Sequence, residues 1–467
     1  MRKLRIALGL VCLSLAGCTV GPNYQRPKVN VPAVYRGAAA SPPSPPSAES
    51  LGNEKWWMVF HDPVLQQLIR TALKQNYEIQ IAATRVIQAQ AELGITRSNQ
   101  FPVVSAGANL LTERNPKINS FFPTYELHTG ELDFSVLWNL DFWGKYRRET
   151  EAARAGLLAT EWGRRAVITS VVSSVATAYF QLRELDLALE ISQRTLSSRQ
   201  DSLRLTQVLF DNGSASLLDL RQSQELVDAA AETIPDLERQ MQQQEDLISD
   251  LLGKNPGPIP RGLPLAKEPA PAALPPGLPS ELLEQRPDVR EAEANLMAAN
   301  ADIGVAKAAF FPNIPLTATG GLESYALDRF FSFASAGMYD VSLSATATIF
   351  QAGALRAGLK LTQAQEQQML LTYKQTITEA LREVSDALIA YQKDRDFLTQ
   401  QDSLTTAAAD ADRLSLILYR HGGASYLQVL TSETNYFAAE LNLAQAQLNE
   451  RLALVQLYNA LGGGWET

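Results

Sequence analysis

The chain has 467 residues, of which 46% are hydrophobic and 19% charged, and a formal charge of −9 at pH 7. Beyond the leader no apolar run reaches the roughly 18 residues that a spanning helix needs, which excludes transmembrane helices there. It does not exclude transmembrane strands, whose alternating pattern gives a much weaker signal. The acidic balance argues against nucleic acid as a partner.

The first residues read as a processing segment. Arg2, Lys3 and Arg5 form a basic stretch, an apolar core follows, and Leu15-Ala16-Gly17-Cys18 resembles the bacterial lipobox. Residues 1–17 are expected to be a removed signal peptide, with Cys18 lipidated as the first mature residue. Losing three basic residues takes the charge from −9 to about −12. Thr19 stands where lipoproteins retained in the inner membrane carry Asp, which favours the outer membrane. Cys12 lies in the removed part, so no intrachain disulfide or thiolate metal site is possible. Residues 18–55 read as a lipid-anchored tether that contains Ser41-Pro42-Pro43-Ser44-Pro45-Pro46-Ser47. The several acyl chains of a lipoprotein anchor stably where one would hold only marginally.

The body is expected to be two copies of one unit. Phe101-Pro102 recurs as Phe311-Pro312, Asp211-Asn212-Gly213-Ser214-Ala215-Ser216 as Arg420-His421-Gly422-Gly423-Ala424-Ser425, and Leu252-Gly253 as Leu461-Gly462. Residues 56–253 form repeat one and residues 280–467 repeat two. Between them, residues 254–279 hold nine prolines and read as an extended linker.

Each repeat reads as helix, strand, loop, strand, very long helix, short break, helix. In the first, residues 64–99 read as one helix ended by Pro102, and strands are expected at 102–112 and 130–142. A helix then runs over about 145–210, roughly 100 Å at 1.5 Å per residue. Asn212-Gly213 breaks it, a second helix runs to 252, and Pro235 should kink that helix. In the second repeat the long helix spans 354–420 and its partner 425–461.

The strands alternate. Leu132, Phe134, Val136, Trp138, Leu140 and Phe142 interleave with Asp133, Ser135, Leu137, Asn139 and Asp141. Val341, Leu343, Ala345, Ala347 and Ile349 interleave with serines and threonines. Ile314, Leu316 and Ala318 do the same, and Val104, Ala106, Ala108 and Leu110 more weakly. Aromatic residues collect at the strand ends: Phe101, Trp143, Phe310, Phe311 and Phe350 at one, and Phe121, Phe122, Tyr125, Tyr325, Phe330, Phe331, Phe333 and Tyr339 at or near the other. This suits interfacial girdles. Four strands cannot close a barrel, and an open edge cannot sit in lipid, so several copies must pool their strands around a lumen lined by the polar faces.

The helices carry seams at three-and-four spacing. One is Ile168, Val171, Val175, Leu182, Leu185 and Leu189, another Leu381, Val384, Leu388 and Tyr391, and a third Leu441, Leu448, Leu452 and Val455. His61, His128 and His421 lack metal-ligand spacing, and Gly462-Gly463-Gly464 lacks the lysine and preceding strand of a phosphate loop. The sequence therefore suggests no enzyme, metal site or cofactor. Asp410 and Asp412 do not share a helix face. Arg147-Arg148 and Arg164-Arg165 are expected to be solvated or tunnel-lining charges.

Four motifs carry a family resemblance. They are Cys18-Thr19-Val20-Gly21-Pro22-Asn23-Tyr24-Gln25-Arg26-Pro27, Trp56-Trp57-Met58-Val59-Phe60-His61-Asp62-Pro63-Val64-Leu65, Arg286-Pro287-Asp288-Val289-Arg290-Glu291-Ala292-Glu293 and Leu461-Gly462-Gly463-Gly464-Trp465. With them nearly the whole mature chain resembles the TolC-like outer-membrane factors, in the lipoprotein branch typified by OprM and NodT. The resemblance implies an α+β membrane protein with four transmembrane strands and long helices per protomer. It implies a homotrimer with a 12-strand barrel and a 12-helix periplasmic tunnel. It also implies docking to a periplasmic adaptor (membrane fusion) protein and an inner-membrane pump, often of the resistance-nodulation-division class, with no chemistry of the channel's own.

In this family the tunnel tip closes around the helix-helix turns, here at Gly213 and Ser214 and at Gly422 and Gly423. Glycine suits a tight turn, and adaptor contact is the added expectation. Alignment on Gly422 puts Gln428 and Thr431 where many members carry aspartate rings, and Leu427 at a hydrophobic ring. Asp219 and Tyr419 match parts of a latch between helices, but the position of its arginine holds Ala424. A gate held by Leu427 packing and polar contacts is expected, with weak divalent-cation block.

Overall fold

The computed structural model describes residues 19–37, 50–116, 125–267, 277–325 and 330–465. Signal residues 1–17, Cys18, most of the proline-rich tether, part of the linker, and Phe121 and Phe122 lie outside them. The main helices and strands are α1 (Pro63–Gln75), α2 (Tyr77–Ser98), β1 (Val103–Asn115), β2 (Tyr125–Asn139), α3 (Lys145–Asp211), α4 (Leu217–Leu251), α5 (Pro287–Ala308), β3 (Pro315–Ser324), β4 (Gly337–Leu343), α6 (Ala354–Arg420) and α7 (Tyr426–Ala460).

The duplication is written in helix lengths. α2 and α5 each have 22 residues, α3 and α6 each 67, and α4 and α7 each 35. All four of the later helices also end in the same way. Gly213, Gly422, Gly253 and Gly462 have φ of +72°, +73°, +68° and +81°. At each, the glycine N–H donates three residues back and the next N–H five residues back, for example Gly422 N to Tyr419 O at 3.0 Å and Gly423 N to Leu418 O at 2.8 Å. This is the glycine-terminated Schellman cap, which a left-handed residue permits.

The chain divides into two compact units that cut across the repeats. One comprises residues 1–28, 85–160 and 291–373, the other 29–84, 161–290 and 374–467. The first holds an antiparallel sheet in the order β1-β2-β3-β4. Its register aligns the apolar rows: Val136 pairs with Val104 and Ala318, Leu132 with Ala108 and Leu322, Trp138 with Leu316, and Leu316 with Leu343. From Val104 to Leu110 and from Leu132 to Trp138 one face is therefore apolar, while further along it carries the Thr112–His128 and Arg114–Glu126 pairs; Ser105, Asp133, Ser135, Thr317, Thr319, Asp340 and Ser342 share the other face. Trp143 stacks on Phe311 with ring centroids 4.7 Å apart, and its Nε1 donates to Pro312 O at 2.9 Å.

The sheet corrects the bounds of three strands, of which β1 runs on to Asn115 instead of ending at 112. β2 begins at Tyr125 and stops at Asn139, because the Asp141 carboxylate turns to cap α3, accepting from Tyr146 N at 3.2 Å and Arg147 N at 3.0 Å. β4 covers Gly337–Leu343 rather than reaching Ile349. Past Pro315, which opens β3, the described residues join Thr346 to Asn313 through one isolated bridge, so the ladder of β4 does not continue beyond Ser344. The expected single helix over 64–99 is two helices. Asn76, in extended backbone, ends α1 and caps α2 through its side chain, which accepts from Ile79 N at 3.1 Å.

In the second unit the expected seams are mostly inside, with Leu185, Leu189, Leu381, Leu441 and Leu452 half-buried. Ile168, Val171, Val175 and Leu182 of α3, Val384, Leu388 and Tyr391 of α6, and Leu448 and Val455 of α7 are buried. Arginine placement corrects the sequence reading at Arg148, while Arg164 is exposed as expected. Arg148, in the first unit, is buried and donates to Glu151 at 2.7 Å, Asn23 Oδ1 at 2.7 Å and Gly21 O at 3.4 Å. Arg147 pairs with Asp141. Arg165 lies 4.1 Å from the Trp162 ring centroid and 4.7 Å from that of Trp465. Arg148 thereby ties α3 to the segment at Gly21 and Asn23, and Arg165 ties it to Trp465, while Arg147 is engaged locally.

Candidate functional site: a sheet with one lipid-compatible face and a two-turn tip

The sheet has two features that a soluble single chain does not sustain. Its apolar face is bare: Leu110 is 83% exposed, Phe134 61%, Tyr339 88% and Val341 67%. A contiguous apolar surface on this scale marks contact with a membrane or another chain. Its edge strands β1 and β4 each pair on one side only within the chain, and an unpaired edge is intolerable in lipid. Both faults vanish together when copies pair edge to edge and turn the apolar face outward. The polar face then lines water.

At the first turn of the second unit, Ser216 and Asp219 form a capping box. Asp219 N donates to Ser216 Oγ at 3.1 Å, and Ser216 N donates to Asp219 Oδ2 at 2.9 Å. The equivalent pair at the second turn is Ser425 and Gln428, and Ser425 makes no such cap. Asp219 is thus engaged locally. It also lies near the Tyr419 hydroxyl, whose pKa is raised, chiefly by burial and then by Asp219.

Tyr419 sits with its ring centroid 5.5 Å from that of the buried Tyr426. Leu427 is 60% exposed at the start of α7. Gln428 and Thr431 are exposed beside it, and Thr431 Oγ1 donates to Leu427 O at 2.8 Å. Gly213, Ser214, Gly422 and Gly423 form the turns themselves, all exposed. The second unit therefore brings together Tyr419, Asp219 and the two turns, with Leu427, Gln428 and Thr431 on the outer surface of α7.

Sequence reasoning missed a charged cluster above these turns. Arg199 on α3 and Glu433 on α7 are buried, and Ser202 Oγ donates to Glu433 Oε1 at 2.9 Å. Charges recurring inside apolar seams were the available signal. The clamp on the segment after Cys18 was also missed. Val20 N donates to Trp143 O at 3.1 Å, and Tyr24 and Arg26 donate to Glu293 at 3.2 and 3.0 Å. A Cβ on Gly21 would lie 2.5 Å from the Gly304 Cα, so only glycine permits that approach.

Residues 68–254 and 278–463 match the outer membrane efflux protein family. The chain is 34% identical over 457 residues to the cation efflux system protein CusC of Escherichia coli O6:H1, covering 98% of each protein. It is 34% identical to the toluene efflux pump outer membrane protein TtgC of Pseudomonas putida, covering 100% of this chain and 96% of that protein. The solved structure of the outer-membrane channel OprN superposes with a TM-score of 0.89 at 31% identity, over 96% of this chain and 100% of that one. The fold class expected from the sequence, an internally duplicated α+β membrane protein that trimerises into a strand barrel and a helix tunnel, is the class of these channels. The paired repeats, the two-faced sheet and the matched residues agree: the chain belongs to the outer membrane efflux protein family and is an outer-membrane efflux channel.

Proposed function

We propose that the trimer is the passive exit duct of a tripartite efflux system for small amphiphilic compounds. An inner-membrane pump of the resistance-nodulation-division class drives it through a periplasmic adaptor. The single observation that supports this reading most is the sheet with an exposed apolar band on one face and two open edges, as a closed membrane barrel requires. The channel performs no catalysis; its work is to hold a bore open to water across the outer membrane. Lipidation at Cys18 anchors the N-terminus in outer-membrane lipid. The division into a tether (18–55), repeat one (56–253), a linker (254–279) and repeat two (280–467) describes the mature chain.

Leu427 closes the periplasmic gate by packing, aided by Gln428 and Thr431 and by the Tyr419–Asp219 neighbourhood. The turns at Gly213, Ser214, Gly422 and Gly423 meet the adaptor. Their Cβ directions at Gly213 and Gly422 meet open space, which leaves them accessible. Cation export is the second reading, favoured by the likeness to CusC. Against it, the chain has only 6 methionines and 3 histidines, too few for a soft-ligand bore. Expression in an efflux-deficient strain, together with an adaptor and pump, tests the choice. Restored resistance to detergents or solvents without resistance to copper or silver supports amphiphile export; the reverse pattern overturns it.

A further inference from the structure

About two to four helical turns from the tip, the packing of α3, α6 and α7 holds carboxyl groups that no direct ion pair to Arg199 neutralises. Arg199 is 3% exposed and Glu433 8%. Glu433 Oε2, Asp412 Oδ1 and Arg199 Nε are buried with no hydrogen-bond partner. All three residues line one cleft of about 200 Å³, with Arg194, Tyr436 and Glu440. The arginines are otherwise engaged. Arg194 pairs with Glu440. Arg199 donates to Leu226 O of α4 at 2.9 Å and lies 5.0 Å from the Phe437 ring centroid.

An ionised carboxylate buried without a partner is costly, and such groups take up a proton instead. Burial raises the pKa of the Asp412 carboxyl, and Glu440 raises it further, while Arg199 opposes both. Burial also raises that of Glu433, with Asp412 adding and the Ser202 bond and Arg199 opposing. The duplicated position shows that the fold does not require this charge. Shifted by one repeat, Arg199 becomes Ala408, Asp412 becomes Leu203 and Glu433 becomes Gln224. An ionisable cluster thus sits in only one of two equivalent packings.

We propose that Glu433 and Asp412 form a proton-operated lock on the α3–α6–α7 packing above the tip. With the carboxyls protonated, the three helices pack closed. When both ionise, two like charges in one cleft loosen α6 and α7 from α3, and the α6–α7 turn is freed. The charged and titratable groups facing the pair are Arg194 and Arg199 from α3 and Tyr426, Tyr436 and Glu440 from α7. From α4 a backbone carbonyl faces Arg199. Because the packed state holds its protons more tightly than the loosened one, its extra stability is full at acid pH. That stability is lost as pH rises through the raised carboxyl values.

The test reads the helices first, because the lock depends on the proposed gate only where conductance is the readout. In the purified full-length trimer, hydrogen exchange of the amides of residues 413–430 is followed from about pH 4, near the ordinary carboxyl values, to about pH 8 and corrected for intrinsic rates. Opening should increase on the order of 2–10-fold across this range. In Glu433→Gln/Asp412→Asn, which keeps the shapes but cannot ionise, exchange should stay low and flat. Circular dichroism and trimer retention confirm folding of the variant. A flat profile in the unaltered protein overturns the lock even if the variant fails to assemble, and so does a variant that keeps the parent profile. Bilayer conductance that ignores pH while exchange responds would retain the lock and sink the gate at Leu427.

Discussion

Tyr179 donates its hydroxyl hydrogen to Asp62 Oδ2 at 2.6 Å, joining the middle of α3 to the N-cap of α1. The same carboxylate accepts from Leu263 N at 2.8 Å and Val64 N at 2.7 Å, and Gly262 N donates to the tyrosine oxygen at 2.9 Å. Asp62 is wholly buried. Three distant segments, the helical start of repeat one, its long helix and the linker, thus meet on one side chain. Removing the hydroxyl in Tyr179→Phe leaves Gly262 N without that acceptor and should cost about 1–3 kcal/mol. Asp62→Ala loses the cap as well and should cost more. Thermal unfolding followed by circular dichroism in detergent checks the order; equal stability of parent and Asp62→Ala would refute it.

The sheet register makes a paired test. Phe134 stands on the apolar face and Ser135, one residue on, on the polar face. Phe134→Arg should destabilise the inserted barrel by about 2–4 kcal/mol per protomer, and Ser135→Arg by far less. Heat-resistant trimer on gels and yield in outer-membrane fractions report the difference. Equal losses would mean that neither face meets lipid.

For the gate, Leu427→Ser should enlarge resting conductance in planar bilayers. Each 1.4 kcal/mol removed from the closed state multiplies the open fraction about tenfold while that fraction is small. The circular dichroism spectrum should not change, since Leu427 is exposed in the protomer. Conductance at the parent level would remove Leu427 from the gate.

Divalent block should be weak in the parent and strengthen when charge is added. Gln428→Asp/Thr431→Asp places paired carboxylates in each protomer, and magnesium on the periplasmic side should then block at concentrations at least roughly tenfold lower. Strong block of the parent channel contradicts the assignment.

The segment after Cys18 passes so close to α5 that Gly304 leaves no room for a side chain: a Cβ there would lie 2.8 Å from Arg148 Cγ and 2.9 Å from Val20 O. Gly304→Val should push the segment off and expose residues 19–28 to protease. Limited proteolysis with mass spectrometry reads this directly, and unchanged cleavage would show that the clamp does not hold the segment.

Much of this fold is legible in the chain. The lengths of α3 and α6 follow from uninterrupted helical pattern and from glycines at Gly213 and Gly422, and the strands follow from alternation; these are local signals, carried by a few neighbouring residues. The repeat is visible for the same reason, since equal spacing needs no contacts to be read. Where local cues ran out the boundaries moved. Alternation continues to Ile349, but β4 ends at Leu343 because its neighbour β3 begins at Pro315.

What the sequence determined by itself was the kind of object: two copies, two-faced strands too few to close, helices too long to stand alone. Tertiary structure alone decided which rows share a face and which charges are buried. Leu132 meets Leu322, and Ser202 meets Glu433, across stretches of chain that no periodicity links. A charge's environment is set by whatever packs against it. Arg148 and Arg165, read from sequence as solvated or tunnel-lining, are therefore found holding the N-terminal segment and a tryptophan pair, and the Glu433 carboxylate is buried with one oxygen lacking a hydrogen-bond partner.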